Sequence, residues 1–184
     1  MVKERGVASR EKRRCCGATL AQRWSESRSM SEDSAGTEAR RAELLLLSGP
    51  NLDELGVRDL AVYGRSTLAD HVNRVSALAD AQGLVVRHRQ SNFEGDLIEA
   101  VHAARETALA IIINAGALSH TSWALADALA TFPGIKVEVH LSNPAAREPY
   151  RHVSTLAGVV NGTVAGFGAL SYDLALTAVV ALLA

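Results

Sequence analysis

From Glu43 onward, short apolar runs alternate with segments whose apolar residues recur every three or four positions. Leu44 to Leu47 is continuously apolar, and so is most of ALAIIINAG at 108–116. Runs of this length read as strands buried on both faces, because a half-exposed strand alternates apolar and polar residues. LVVRHRQS at 84–91, IKVEVHLS at 135–142 and a segment within 158–167 complete five strands. Between them, STLADHVNRVSALADAQ at 66–82 places Leu68, Val72, Val75 and Ala79 on one helical stripe, with Ser66 or Thr67 to cap its start and Gly83 to end it. EGDLIEAVHAARE at 94–106 turns Leu97, Ile98, Val101 and Ala104 inward. Further helices are expected over 120–131 and from about Ser171 to the end.

Strands that alternate with helices of this length imply parallel βαβ units and a sheet covered on both sides. The expected fold is α/β: a flavodoxin-like, doubly wound, five-stranded parallel sheet in three αβα layers. Pattern leaves the strand order open, and 2-1-3-4-5 is one of two common arrangements. Residues 1–42 carry no sustained apolar period and are rich in Arg, Glu and Ser, so they read as a disordered N-terminal extension, with the flavodoxin-like domain at 43–184. Met30 offers one reading of the natural start, and a genuine solvated tail offers another.

Composition narrows the function classes. The net charge is -1, from 19 Lys+Arg and 20 Asp+Glu, which argues against nucleic-acid binding driven by global charge. No apolar run approaches the ~20 residues of a membrane-spanning helix, and the basic N-terminus lacks the apolar core of a secretory signal. Cys15 and Cys16 are adjacent, which suits neither a disulfide nor zinc, and a cytoplasmic location is expected. Neither G-x-G-x-x-G nor G-x-x-x-x-G-K-[ST] occurs. GTVAGFG at 162–168 is read as a closely packed strand, and no histidine falls in metal-ligand spacing.

In open parallel sheets, ligands bind beyond the carboxyl ends of the strands. The first strand ends in Ser48, Gly49, Pro50 and Asn51, and the second in Gln90, Ser91 and Asn92. The third ends in Asn114, Ala115 and Gly116 with His120 close behind, and the fourth delivers Glu138, His140, Ser142 and Asn143. Each has an ordinary structural reading: Asn51 and Asn92 as turn caps, His140 as a satisfied core histidine. Their convergence on one edge favours a polar pocket. The loop 52–65 exceeds the usual ~2–6 residues of a βα connection and carries Arg58 and Tyr63 as a candidate lid. AREPYRH at 146–152 spaces Arg147 and Arg151 to share a face if helical, suited to a carboxylate or phosphate. The competing reading pairs them with Glu148 in solvent.

SGPNLDELGVRDLAVYG, QSNFEGDLIEAVHAA, INAGALSHTSWALADAL, VEVHLSNPAAREPYRHVS and GFGALSYDLAL together resemble the type II 3-dehydroquinate dehydratases, over about residues 44–182. The resemblance implies cofactor-free conversion of 3-dehydroquinate to 3-dehydroshikimate by anti elimination through an enolate. It implies a homo-oligomer of trimers assembled into a dodecamer. It also implies roles for residues: Tyr63 as base, Arg58 favouring its phenolate, and Asn51 holding a water on the enolate oxygen. His140 becomes the general acid, with Glu138 and Asn114 orienting it. Leu141 and Ser142 match the carboxylate site, His120 and Arg151 the groups that hold hydroxyls, Arg147 a lid arginine, and Asp127 an acid that reaches a neighbouring subunit's site. Phe93 and Ala117 depart from common family choices. The alternatives are a non-catalytic flavodoxin-like module for a small anion or partner, and a flavin-binding carrier of the same fold.

Overall fold

The computed structural model describes residues 42–57 and 64–184. The extension over 1–41, including Met30 and both cysteines, lies outside the described residues. Five strands are present: β1 (Ala42–Ser48), β2 (Leu84–Gln90), β3 (Ala108–Asn114), β4 (Ile135–His140) and β5 (Gly162–Ala165). The helices are α1 (Leu68–Asp80), α2 (Glu94–Ala104), α3 (Trp123–Thr131) and α4 (Leu170–Leu183). All strand pairings are parallel, in the order β2-β1-β3-β4-β5. The chain therefore has the expected α/β, flavodoxin-like fold, and the order left open by pattern is 2-1-3-4-5.

The unbroken leucines of β1 divide between two cores. Leu44 and Leu46 face one side with Ala110, Ile112, Val137 and Val139, where α1 and α4 supply Val75, Ala79, Ala175, Leu176 and Val179. Leu45 and Leu47 face the other side with Ile111 and Ile113, against Leu97, Val101, Leu125 and Leu129 of α2 and α3. Adjacent residues of a strand point to opposite faces, so four successive leucines require cover on both. α1 opens with a reciprocal capping box between Thr67 and Asp70. Its buried stripe consists of Val75, Ala79 and His71, with Leu68 and Val72 packed at the margin. His71 went unread in the apolar pattern; its ring lies 5.4 Å from that of Tyr172 on α4.

Two local expectations are corrected, and a third segment left conditional is settled. α3 begins at Trp123 rather than near 120, because Ser122 caps it through the Leu125 N–H, and Gly116–His120 forms a 3-10 turn first. β5 is only four residues long. Gly166 and Gly168 have φ of 92° and 56°, a left-handed conformation that ends the strand where a close-packed extension through 168 was expected. Residues 146–152 do not form one helix. Pro144–Ala146 and Pro149–Arg151 are separate 3-10 turns, each opened by its proline.

Close backbone contact at the carboxyl edge explains Gly49. A Cβ there would sit 2.4 Å from the Ala115 carbonyl oxygen, so only glycine lets the turn after β1 press against the turn after β3. Gly49→Ala is expected to lower unfolding free energy by about 1–3 kcal/mol, measurable by chemical denaturation. An unchanged midpoint would contradict this account of the turn.

Candidate active site

The parallel register places the strand ends side by side. Ser48 is level with Gln90 on one side and Asn114 on the other, and Ile113 is level with Glu138. Beyond these ends lies a cleft of about 160 Å³. Asn51 and Leu55 line its β1 side, Asn114 and His120 its β3 side, and His140, Leu141 and Ser142 its β4 side. Arg147 and Arg151 enter from the two 3-10 turns. The edge expected from sequence therefore holds a polar cleft. Arg58 and Tyr63 lie outside the described residues.

Glu138 and His140 form its most distinctive pair. They are two apart on β4 and share a face, with Nε2 of His140 2.8 Å from Oε1 of Glu138. Glu138 is fully buried, while His140 keeps 8% exposure at the cleft. A carboxylate only accepts, so Nε2 carries the hydrogen and Nδ1 is the ring nitrogen left for chemistry. Burial pushes the Glu138 carboxyl up, but the His140 hydrogen bond and charge outweigh it, aided by the Ser154 hydroxyl, and the net shift is downward. The pair is thus an imidazole backed by a carboxylate held ionised without water.

His120 stacks on His140, with ring centroids 6.3 Å apart and planes within 10° of parallel. Its Nδ1 donates to the Val153 carbonyl at 2.9 Å, which leaves Nε2 as the acceptor nitrogen when the ring is neutral. Arg151 donates to Glu148 at 2.9 Å and to the Tyr150 hydroxyl at 3.1 Å, and Arg147 Nε lies 3.6 Å from the same carboxylate. The guanidinium groups border the cleft and also flank Glu148, the partner named by the competing reading.

Asn51 adopts φ 64° and ψ 10°, the left-handed region, where asparagine is the best tolerated residue after glycine. Its N–H donates to Oδ1 of Asn92 at 2.7 Å, and Asn92 Nδ2 donates to Asp53 at 3.0 Å. The turn-capping reading therefore fits Asn92, whose amide joins the turns after β1 and β2 and sets the direction of Asn51. Among the described residues, no group of three or more His, Cys, Asp or Glu is placed to hold a metal ion, and no helix is long and apolar enough to cross a membrane.

One expected placement differs. Asn114 does not orient His140: its Nδ2 donates to the Tyr172 hydroxyl at 3.2 Å and its Oδ1 accepts the Gly116 N–H at 3.3 Å. The reason is parity. Ile113 is the partner of Glu138 across the ladder, so Asn114 turns to the opposite face, where α4 packs. Asp127 is exposed on α3 and does not line the cleft of its own chain. The sequence reading missed Ser154, whose hydroxyl lies 2.9 Å from both Glu138 oxygens. It sits in a loop, where no periodicity marks it. The reading also missed the polar floor, where Ser48 meets His88 at 3.0 Å and Tyr172 is pushed up to about 12 by burial, partly offset by Asn114 and Ser48.

Comparison with known proteins follows this geometry. The family profile described as Dehydroquinase class II matches residues 42–180. A 3-dehydroquinate dehydratase of Parasynechococcus marenigrum (strain WH8102) is 53% identical over 133 residues, covering 72% of this chain and 91% of that protein. One from Xanthomonas euvesicatoria pv. vesicatoria (strain 85-10) is 53% identical over 141 residues, covering 76% and 95%. The crystal structure of type II dehydroquinase from Butyrivibrio crossotus DSM 2876 superposes with a TM-score of 0.74 at 35% identity, covering 76% of this chain and 97% of that one.

Buried His71 and half-buried His88 make stability pH-dependent. Burial holds His71 and His88 below their usual 6.5. The unfolded chain therefore binds protons first, and stability present above pH 6.5 is lost as pH falls toward the folded values. Glu138, also depressed, adds loss at more acidic pH, as it falls through its folded value below the usual 4.5. His71 Nε2 has no partner among the described residues. His71→Phe is thus expected to flatten the stability profile just below pH 6.5, read by denaturant titration across pH; an unchanged slope would refute the assignment.

Proposed function

The chain belongs to the class II dehydroquinase family, and from that premise we propose how its cleft performs the family reaction. It is a hydro-lyase that dehydrates 3-dehydroquinate to 3-dehydroshikimate, a step of the shikimate pathway that leads to aromatic amino acids. The observation that carries this reading is the Glu138–His140 pair at the end of β4, facing a cleft bordered by two arginines. A non-catalytic anion site would need the arginines but has no use for a buried carboxylate behind an imidazole.

The elimination removes a hydrogen next to a ketone and expels a hydroxyl from the neighbouring carbon, on the opposite face. It needs a base, an enolate stabiliser and an acid. Tyr63 is the base. A free phenol, with pKa of about 10, ionises too little at neutral pH, and the Arg58 guanidinium shifts it toward phenolate. Asn51 holds the water that hydrogen-bonds the enolate oxygen, and its left-handed turn, pinned by Asn92, supports that role. His140 gives its proton to the departing hydroxyl. Glu138 steadies the imidazolium beforehand and fixes the tautomer that leaves Nδ1 toward the cleft.

Substrate binding falls to the rest of the rim. The turn at Leu141 and Ser142 takes the substrate carboxylate. Asn114, His120 and Arg151 meet its hydroxyls, and Arg147 closes over it from the 3-10 turn. Gly56 and Arg65 approach closely: a Cβ on Gly56 would lie 3.0 Å from the Arg65 carbonyl. Closure of the loop over bound substrate would exclude water. The chemistry proposed here assigns no step to a metal or coenzyme.

A homo-oligomer of trimers joined into a dodecamer fits the exposed face of α3. Asp127 lies one turn beyond Trp123, which is 71% exposed. A neighbour packed on that face would cover the indole and receive the Asp127 carboxylate at its own site. The location proposed is the cytoplasm, and the division proposed is an N-terminal extension followed by a catalytic domain that opens with β1 at Ala42.

An ultraviolet assay tests the activity, since the conjugated product absorbs and the substrate does not. Purified protein is expected to turn over 3-dehydroquinate. Tyr63→Phe should lower kcat by about 10²–10⁴ while substrate still binds in calorimetry. A wild-type protein without turnover would overturn the function, and a Tyr63→Phe enzyme near full activity would overturn the base.

A further inference from the structure

Ser154 has no part in the roles above, yet its placement is specific. Its Oγ lies 2.9 Å from Oε1 of Glu138 and 2.9 Å from Oε2. A hydroxyl has one proton, so this is a single donation shared between both carboxylate oxygens. The same Oγ accepts the Leu156 N–H at 3.1 Å, which occupies a lone pair and turns the proton toward Glu138. The segment is itself pinned. Thr155 donates its N–H to the Ser119 carbonyl at 2.8 Å, and its hydroxyl reaches the Ser119 and Ser122 carbonyls at 3.1 Å each. Val153, the preceding residue, accepts from His120. Three successive residues therefore hold the support of both imidazoles.

We propose that Ser154 is a positioning residue for His140: its hydroxyl keeps the buried Glu138 ionised, so that the transferable proton stays on the imidazole. The proposal rests on His140 being the acid of the reaction. The pair binds one extra proton, which can reside on His140 or on Glu138. On His140 it forms an imidazolium able to protonate a leaving hydroxyl. On Glu138 it leaves a neutral imidazole, a far weaker acid. Ionised Glu138 is present both before and after proton donation, so a hydroxyl that stabilises it disfavours only the unproductive state.

The groups around the pair support this division. Glu138 meets His140 on its own strand, Ser154 from the loop, and Thr163 of β5 at 3.4 Å. Ser119, from the turn after β3, is also buried, and its Oγ has no hydrogen-bond partner among the described residues. Lys136, two residues earlier on the same face, turns its ammonium to the Phe132 carbonyl at 2.8 Å. His140 faces His120, and shares the cleft with Arg147 and Arg151, whose charge Glu148 partly meets. Ser154 makes the shortest contacts with Glu138 from outside β4. Its loss cannot be covered by Thr163, whose contact is longer.

Ser154→Ala tests the proposal by two independent readouts. In kinetics, kcat should fall about tenfold or more while KM stays within about twofold. The alkaline limb of the kcat–pH profile should move upward, because the pair now holds its proton more tightly. In infrared difference spectra, a protonated carboxyl absorption should appear that wild type lacks, and it should vanish in Ser154→Ala/Glu138→Gln. Ser154→Thr should restore the wild-type profile and spectrum, and Thr163→Val should change them less. A kcat loss with an unmoved limb and no carboxyl band would reduce Ser154 to a structural tie and overturn the proposal. The infrared readout requires no turnover, so an error in the assigned substrate leaves it standing. If Ser154→Ala does not fold, wild type against Glu138→Gln decides: ionised Glu138 through the working pH range supports the proposal, and protonated Glu138 refutes it.

Discussion

A carboxylate with no exposure to water persists only if its neighbours replace the hydration it has lost. Glu138 is in that position, and much of the active edge can be understood as the means of keeping it charged. Its oxygens take hydrogen bonds from His140, Ser154 and Thr163, which come from three separate parts of the chain. The short β5 matters for this reason: it brings Thr163 alongside Glu138 before Gly166 and Gly168 turn the chain away. A surface carboxylate would be screened and would steady an imidazolium weakly. A buried one acts at low dielectric and in one fixed direction.

The cleft then follows from the sheet. Parallel strands all end on the same edge, and their register sets Ser48, Gln90 and Asn114 level. Glycine at 49 lets two turns meet backbone to backbone, so Asn51 and the β3 turn border one cavity instead of two. The two faces of the sheet take different work. The α2/α3 side of β4 holds the Glu138–His140 pair. The α1/α4 side, through Asn114, Ser48 and Tyr172, forms a buried polar floor that fixes the strand ends. A tyrosine with its pKa pushed to about 12 is a hydrogen-bonding strut, and it differs in kind from a phenol called on to ionise.

Much of this was legible in the chain. Four leucines in succession required cover on both faces, and alternating strands and helices required parallel connections; both hold. Polar residues gathered after each strand located the cleft. What pattern could not supply was partnership. Asn114 and His140 stand at neighbouring strand ends, and only the register across β3 and β4 reveals that their supports lie on opposite faces. Ser154 lies in an irregular loop, where a serine carries no signature of the carboxylate it serves. His71 sat within a helical stripe and was passed over because burial of a histidine depends on the helix packed against it, here α4. The start of α3 and the split of 146–152 were decided by a serine cap and two prolines, local features that the apolar period outweighed.

The central claim is that His140 protonates a leaving hydroxyl after the enolate has formed, so the two halves of the reaction are separable. Proton NMR of 3-dehydroquinate incubated with His140→Gln in deuterated water tests this directly. The account predicts that recovered substrate gains deuterium at the carbon beside the ketone, while dehydration falls by about 10²–10⁴. A variant that still dehydrates near the wild-type rate, or that loses exchange together with dehydration, would contradict it.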